Sequence, residues 1–284
     1  MKFVVSFTTS PERINKIKPM VESILTQSKS PDLFLLNIPE IFPRTKQKYT
    51  IPDFVKKCVT INVLKQDYGP ATKLLPTIKY LKENNYSDDD TFIIYLDDDI
   101  EYRPDMISAY NFILQLNKKK RVICGGGFHF VYHGGKMRLA GQRQHNDKVS
   151  VAEGYASVCV PLSIFEKDFY KYMEKYTLNS VYNHCMLSDD VIFSNYYAMK
   201  NIDIEVISIP GKFSIYDLWS NNSILEYGNQ DDALHCGASG TSSTNIDRYP
   251  EVLSSLAKNN ELYLKVYSVN SENNSNNTIA NQFY

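Results

Sequence analysis

Strand-like and helix-like segments alternate over the first hundred residues, and this order is the strongest constraint on the fold. Four β-rich runs lie at 2–9, 31–39, 55–64 and 92–96, and two stretches with apolar residues at helical spacing lie at 13–28 and 69–84. The order β-α-β-β-α-β is typical of a mostly parallel sheet that is flanked by helices. Ligands of such sheets bind beyond the carboxyl ends of the strands. The sequence therefore predicts an α/β fold with a ligand site at that edge of the sheet.

The order of the segments changes after residue 103. Helices are predicted at 103–119, 163–177, 187–201 and 249–260, strands interrupted by glycine at 122–141 and 148–165, and a late strand at 202–210. The composition of 212–245, rich in Asn, Ser and Gly, suggests a mobile lid. The Asn- and Ser-rich run at 268–284 predicts a disordered tail. A length of 284 residues suits one large domain or two tightly joined halves.

Composition argues against several classes of protein. The net charge is −1, from 31 basic and 32 acidic residues, so bulk charge does not indicate nucleic-acid binding. The five cysteines are odd in number and include no C-x-x-C pair, which argues against a disulfide framework and a structural zinc site. The apolar run Phe3–Phe7 is too short for a signal peptide, and no other stretch approaches a membrane span. We therefore expect a soluble, cytoplasmic protein without a transmembrane segment.

Three consecutive aspartates, Asp97, Asp98 and Asp99, follow an apolar run directly in the segment "FIIYLDDDIEY". Like charges this close together persist only if water, a cation or a partner offsets their repulsion. An Asp-x-Asp pair at a strand end can hold a hard divalent ion and leave coordination positions for water and phosphate oxygens. Asp97 and Asp99 are therefore predicted ligands of Mn²⁺ or Mg²⁺.

Acidic runs have other interpretations too. The earlier run Asp88–Asp90 precedes the strand among polar residues, and we predict that it is a solvated turn. A haloacid-dehalogenase-like phosphatase would also use Asp-x-Asp after a strand, with Asp97 as its nucleophile. That motif requires Thr or Val where this chain has Glu101, which weakens the phosphatase alternative.

A second acidic pair, Asp189 and Asp190, opens the predicted helix "SDDVIFSNYY", with Ser188 as a candidate N-cap. Acids in the first turn of a helix are stabilised by the helix dipole, so the pair can be purely structural. If one of the two carboxylates points into the cleft, it can instead take a proton from an incoming hydroxyl group.

Four segments in order resemble the nucleotide-diphospho-sugar glycosyltransferases of the GT-A fold, in particular family-2-like members from bacteria and large viruses. These segments are "VVSFTTSPERI", "ESILTQSKSPDLFLLNIP", "DYGPATKLLPTI" and "DTFIIYLDDDIEYRPDMI". The resemblance is densest over 3–110, thinner through "GYASVCVPLSIF" and "LSDDVIFSNYY", and faint after 215. It implies one domain over 1–267, in which a Rossmann-like nucleotide-sugar half (1–102) with a mostly parallel central sheet is continuous with an acceptor half (103–267).

The resemblance also implies roles for individual residues. Asp190 matches the catalytic base of inverting members, with Asp189 as the second candidate, and His235 matches a metal ligand that some members add near the carboxyl terminus. The positions that match donor-binding residues of the family are Thr8, Thr9, Arg13, Asp67, Lys73, Asp97, Asp98, Gly154 and Tyr155. Several of these assignments have a structural alternative. Thr8 and Thr9 can be turn formers, and Arg13 can be a surface charge. Lys73 can be an exposed helix residue, and His235 can be a structural or exposed side chain.

The implied activity is metal-dependent transfer of a sugar from a nucleotide-diphosphate sugar, with UDP the expected nucleotide, to a hydroxyl of a glycan or another acceptor. Inversion at the anomeric carbon is expected if Asp190 is the base. A retaining enzyme, a sugar-phosphate nucleotidyltransferase and a non-catalytic nucleotide- or glycan-binding module are the alternatives. The nucleotidyltransferase ranks low because "FTTSPERI" lacks the glycine-rich signature of that class after the first strand. The segment "CGGGFHFVYHGG" departs from the family, which leaves the acceptor side undefined.

Overall fold

A computed structural model describes residues 1–116, 120–134, 136–142, 147–178, 183–207 and 244–269. The first half contains strands β1 (Lys2–Phe7), β2 (Leu33–Pro39), β3 (Thr60–Leu64) and β4 (Thr91–Tyr95), helices α1 (Lys18–Leu25), α2 (Asp53–Lys56) and α3 (Leu75–Glu83), and a 3₁₀ turn at Gly69–Lys73. The second half contains strands β5 (Val122–Cys124), β6 (Gly127–His133), β7 (Lys136–Gln142), β8 (Val151–Ala152), β9 (Val158–Pro161), β10 (Ile204–Val206) and β11 (Val266–Val269). Its helices are α4 (Met106–Leu116), α5 (Lys167–Thr177), α6 (Asn183–Met186), α7 (Asp189–Met199) and α8 (Asn245–Lys258).

The central sheet has seven strands in the order β10-β5-β9-β4-β1-β2-β3. All neighbours in it are parallel except β9, which is antiparallel to both β4 and β5. The predicted α/β fold with a mostly parallel central sheet is confirmed. A smaller sheet groups β7, β8 and β11 around β6.

Two apolar layers cover the two faces of the central sheet, as expected for parallel strands that are buried on both sides. Successive residues of β1 alternate between them: Phe3 and Val5 pack in the layer that contains Val21 of α1, whereas Val4 packs in the layer that contains Ile78 of α3. The core therefore fixes the register of β1, because a shift of one residue would exchange its two faces.

Several predicted boundaries differ from the structure, and proline explains two of these differences. The helix expected at 13–28 begins at Lys18, where Pro19 occupies the first turn and the missing N–H of proline costs no hydrogen bond. The strand expected at 55–64 begins only at Thr60, because the residues after Pro52 form the short helix α2. In both regions the predicted element forms over only part of the predicted range.

The predicted tail and lid fall largely outside the described residues. Val266–Val269 form β11, which pairs in parallel with β6, and 270–284 are not described. Of the proposed lid at 212–245, only Thr244 and Asn245 are described, where they begin α8.

Candidate active site

Parallel pairing of β1 with β4 brings two of the predicted segments to one edge of the sheet. Ser6 of β1 lies in register with Tyr95 of β4, so the residues that follow the two strands emerge side by side. Thr8 and Thr9 follow β1, and Asp97 begins the aspartate triplet after β4. The carboxyl ends of β2 and β3 lie at the same edge, because these strands continue the parallel order. This edge is where a ligand of such a sheet is expected.

Lys73 ends the 3₁₀ turn after β3, and its ammonium group joins the two acidic motifs. Its Nζ lies 2.7 Å from Oδ1 of Asp97 and 3.0 Å from Oδ2 of Asp189. Oδ1 of Asp190 is 4.0 Å from the same nitrogen. Burial by itself would lower the pKa of Lys73, but the three aspartates hold that pKa well above its ordinary value. Lys73 is therefore a permanent positive charge between the motifs, and its side chain is only 5% exposed.

Helix α7 places Asp189 and Asp190 in its first turn. Ser188 stands at the N-cap position, although its side chain makes no capping hydrogen bond. Burial, reinforced by the charge of Asp189, raises the pKa of Asp190 well above its ordinary value. Burial also raises the pKa of Asp189, against the opposing effect of Lys73. A carboxylate with a raised pKa is a better proton acceptor, which suits general base catalysis.

Gly154 packs against this cluster, next to Lys73 and Asp190. Its main-chain N–H donates to both carboxylate oxygens of Asp190, each at 3.2 Å. A Cβ atom at this position would lie 2.6 Å from Nζ of Lys73 and 3.0 Å from Oδ1 of Asp190. A side chain at position 154 would therefore require the ammonium group of Lys73 to move away.

Arg13 offsets the charge of the remaining two aspartates of the triplet. Its Nη2 lies 2.8 Å from Oδ1 of Asp98 and 3.0 Å from Oδ2 of Asp99. Burial, followed by the charges of Asp98 and Asp97, raises the pKa of Asp99 to about 6 even with Arg13 present. Burial likewise raises the pKa of Asp98. Two basic side chains, Arg13 and Lys73, thus offset the repulsion within the aspartate triplet.

Asp67 lies at the start of the turn that leads to Lys73. Its Oδ1 accepts hydrogen bonds from the main-chain N–H of Gly69 at 3.2 Å and from the hydroxyl of Thr72 at 3.1 Å. Burial raises the pKa of Asp67, while the Thr72 hydrogen bond and the charge of Arg44 lower it. The carboxylate therefore shapes the turn, in addition to any part it plays in ligand binding.

Arg44 and Tyr49 belong to this region and were not identified from the sequence. The hydroxyl of Tyr49 donates to the main-chain carbonyl of Thr9 at 2.9 Å. Burial lowers the pKa of Arg44, and the charge of Asp67 is the largest influence that opposes this shift. Both residues lie in the loop between β2 and α2, where no periodic pattern or motif marks them. Only their three-dimensional proximity to Thr9 and Asp67 could reveal them.

Tyr102 ties the aspartate triplet to the segment around Tyr155. Its hydroxyl accepts from the main-chain N–H of Asp97 at 3.2 Å, and it lies 3.1 Å from the carbonyl oxygen of Tyr155, to which it can donate. The side chain of Tyr102 is fully buried. Tyr155 is therefore held near the triplet through its main chain.

The earlier acidic run, Asp88–Asp90, lies apart from this arrangement. The Asp88–Asp90 run lies at the amino end of β4, where Oδ1 of Asp90 pairs with the chain's amino terminus at 2.8 Å. It is separated from the Asp97 cluster by the whole length of β4. His235 lies outside the described residues.

The donor set at the triplet fits a hard divalent cation that is shared with a phosphate ligand. No three His, Cys, Asp or Glu side chains of the described residues are grouped as a complete metal site. Asp97 gives one oxygen to Lys73 and Asp99 gives one to Arg13, so each carboxylate has a second oxygen outside these ion pairs. Mg²⁺ is commonly held by one or two carboxylates, with water and substrate phosphates completing its coordination. Asp97 and Asp99 meet that requirement in ligand type.

Among the helices that the structure describes, none combines the length and the apolar character that a membrane span needs.

Comparison with known proteins gives a distant structural likeness. No family model matches the chain, and no curated protein matches it. The crystal structure of S. aureus TarS 1-349 gives a TM-score of 0.44 at 12% identity, over 75% of this chain and 59% of that one. A second crystal structure of S. aureus TarS gives a TM-score of 0.47 at 14% identity, over 75% of this chain and 36% of that one. The chain thus spans less than two thirds of either TarS chain, and likenesses of this size do not determine function.

Proposed function

We propose that this chain is a glycosyltransferase that moves a sugar from a nucleotide-diphosphate sugar to a hydroxyl group of a glycan or another acceptor. The donor nucleotide in this proposal is UDP, Mn²⁺ or Mg²⁺ assists, and the transfer inverts the anomeric carbon. One observation carries the proposal: the acidic motif after β4 and the acidic pair that opens α7 meet around Lys73, within 4.0 Å of its Nζ. They do so at the carboxyl edge of the sheet, where a nucleotide ligand is expected.

The acceptor side of the proposal rests on Asp190. Its raised pKa makes it a stronger base than a free carboxylate, and the N–H of Gly154 fixes its orientation. In the proposed reaction Asp190 takes the proton of the acceptor hydroxyl while the hydroxyl oxygen attacks the anomeric carbon. The bond from that carbon to the diphosphate breaks as the new glycosidic bond forms, through a transition state with oxocarbenium character. Asp189, which is 10% exposed and paired with Lys73, is the less accessible member of the pair.

The donor side rests on the residues at the ends of β1, β3 and β4. Asp97 and Asp99 would hold the cation, which supplies positive charge for the leaving diphosphate. Arg13, already beside Asp98 and Asp99, adds a second positive charge at the same place. In this proposal Thr8, Thr9, Asp67, Gly154 and Tyr155 line the donor site, with Arg44 and Tyr49 added by their positions beside Thr9 and Asp67.

The direct test is turnover with a panel of UDP- and GDP-sugars in the presence of Mn²⁺, read as release of the nucleotide diphosphate. Asp190→Asn should lower transfer by about 10²- to 10⁴-fold, as expected for loss of a general base, and should leave UDP binding intact. Asp99→Ala should remove metal-dependent donor binding without unfolding the protein. Asp90→Asn, at the other end of β4, is the matched control and should change neither.

Near-normal transfer by Asp190→Asn would contradict the base assignment. An NMR assignment of the product anomer separates inversion from retention, and retention would remove the need for a base at Asp190. Tight UDP binding with no turnover on any donor and acceptor would favour the non-catalytic module.

A further inference from the structure

Lys73 is positioned by a rigid main chain. Its carbonyl oxygen accepts from the hydroxyl of Ser6 at 2.6 Å and from that of Thr77 at 3.4 Å, and both hydroxyl groups are buried. Asn37 donates to the same two hydroxyls, at 3.0 and 2.7 Å. This buried polar network joins β1, β2 and α3 next to the main chain of Lys73. The network therefore holds the main chain of Lys73 in place, and with it the base of the lysine side chain.

The ammonium group of Lys73 has little capacity left for a further ligand. A lysine has three N–H donors, and two aspartates lie within ion-pair distance of Nζ, Asp97 at 2.7 Å and Asp189 at 3.0 Å. Gly154 lies against the same ammonium group, since a methyl group at that position would lie 2.6 Å from Nζ. By contrast, the side chain of Arg13 is 17% exposed and that of Asp97 is 36% exposed. Solvent thus reaches Asp97 and Arg13 more than Lys73.

We propose that Lys73 is a positioning residue, which fixes the metal-binding motif and the catalytic acidic pair relative to each other and does not itself contact the donor diphosphate. This inference rests on the proposed function, because it assigns the two acidic motifs to cation and base. Lys73 acts through Asp97, whose second oxygen lies outside the ion pair and would be available to the cation, and through Asp189, which precedes the proposed base Asp190 on α7. It replaces the direct diphosphate contact that the family resemblance implies for Lys73.

The two roles predict different effects of removing Lys73 on nucleotide binding. If Lys73 holds the aspartates, its removal takes away the positive charge nearest to Asp97 and leaves a more negative site, so a divalent cation should bind more tightly. The diphosphate would still meet the cation and Arg13, and its affinity at saturating metal should be preserved. If Lys73 instead contacts the diphosphate, its removal should weaken nucleotide binding even at saturating metal.

The test compares Lys73→Met with Lys79→Met, an exposed lysine on α3 that serves as the matched control. Mn²⁺ affinity is measured by electron paramagnetic resonance of the free ion, and UDP affinity by calorimetry at saturating Mn²⁺. We expect Lys73→Met to raise Mn²⁺ affinity by about tenfold or more and to change UDP affinity by less than about threefold. Its kcat should fall by roughly 10²-fold with little change in donor KM, the pattern of a lost contribution to the transition state. Lys79→Met should change none of these quantities.

A loss of UDP affinity of about tenfold or more, which is about 1.4 kcal/mol, would overturn the proposal in favour of direct diphosphate contact. Unchanged Mn²⁺ affinity or unchanged kcat in the folded variant would overturn it as well. If Lys73→Met does not fold, Lys73→Met combined with Asp189→Asn removes one charge of each sign and keeps the same measurements available. The binding measurements need no turnover, so a chain that binds Mn²⁺ and UDP but transfers no sugar would refute the proposed function while the role of Lys73 is still decided.

Discussion

Replacing Gly154 with alanine introduces a single methyl group into the densest part of the charged cluster. The added Cβ would stand 2.6 Å from Nζ of Lys73 and 3.0 Å from Oδ1 of Asp190. Non-bonded atoms of this kind make ordinary contact at about 3.5 Å, so the ammonium group would have to retreat by roughly 0.9 Å. The end of a lysine side chain is flexible, but this one is buried and paired with Asp97 and Asp189. The retreat therefore lengthens at least one of these two ion pairs.

The expected cost follows from this overlap. Added methyl groups in a well-packed interior cost about 1–3 kcal/mol. For a chain of this size, about 2 kcal/mol corresponds to a fall in Tm of roughly 4–8 °C. Because misplacement of a reacting group by about 1 Å can cost 10²-fold in rate, we expect a similar loss in kcat. Alanine keeps the main-chain N–H that donates to Asp190, so the loss of that donor does not contribute to the cost.

A double-mutant cycle isolates the contact with Lys73. Thermal melts and guanidinium unfolding are measured for Gly154→Ala, Lys73→Ala and the double variant. If the methyl group acts by displacing the ammonium, Gly154→Ala should cost at least about 1 kcal/mol less in the Lys73→Ala background. An equal cost in both backgrounds would refute this reasoning, and so would a Gly154→Ala protein with unchanged Tm.

Three further predictions concern the surroundings of the cluster. Tyr102→Phe removes the hydroxyl between Asp97 and the carbonyl of Tyr155, and should lower the free energy of unfolding by about 1–3 kcal/mol in urea titration. Asn37→Ala breaks the buried network beneath Lys73, and should cost about 2–4 kcal/mol, read as a lower guanidinium midpoint with an unchanged m-value. Burial raises the pKa of Asp99 to about 6 in the folded protein. The folded state therefore holds the carboxyl proton of Asp99 more tightly than the unfolded chain does. The protein should accordingly become less stable as the pH rises from about 4 to 6. Asp99→Asn should therefore stabilise the protein relative to the wild type more at pH 7 than at about pH 4.5, in chelator-treated buffer, and a constant difference would contradict the assignment.

The central sheet could be predicted from the sequence because its strands have recognisable local patterns. The apolar runs at β1, β2 and β4 are short and bounded by turn residues, and both the α/β class and the mostly parallel order follow from their alternation with helices. Asp97–Asp99 were placed at a strand end for the same reason. The ends of the elements were less predictable near Pro19 and Pro52, where proline changed the residue at which the helix or strand begins.

The charge balance of the site was not predictable from the sequence. Nothing in the local pattern joins Arg13 to Asp98 or Lys73 to Asp189, because these pairs are distant in the chain and have no shared periodicity. Arg44 and Tyr49 lie in an irregular loop and give no signal at all. Ion pairs of this kind arise only when separate βα units deliver their side chains to the same edge of the sheet.

Local preference and hydrophobic alternation thus determined which segments become strands and helices, and on which faces of the sheet they are buried. Tertiary structure alone decided that one lysine stands between two acidic motifs and that Gly154 leaves room for it. The physical reason is range: backbone preference acts over a few neighbouring residues, whereas electrostatic and steric contacts depend on distances that exist only after the chain has folded.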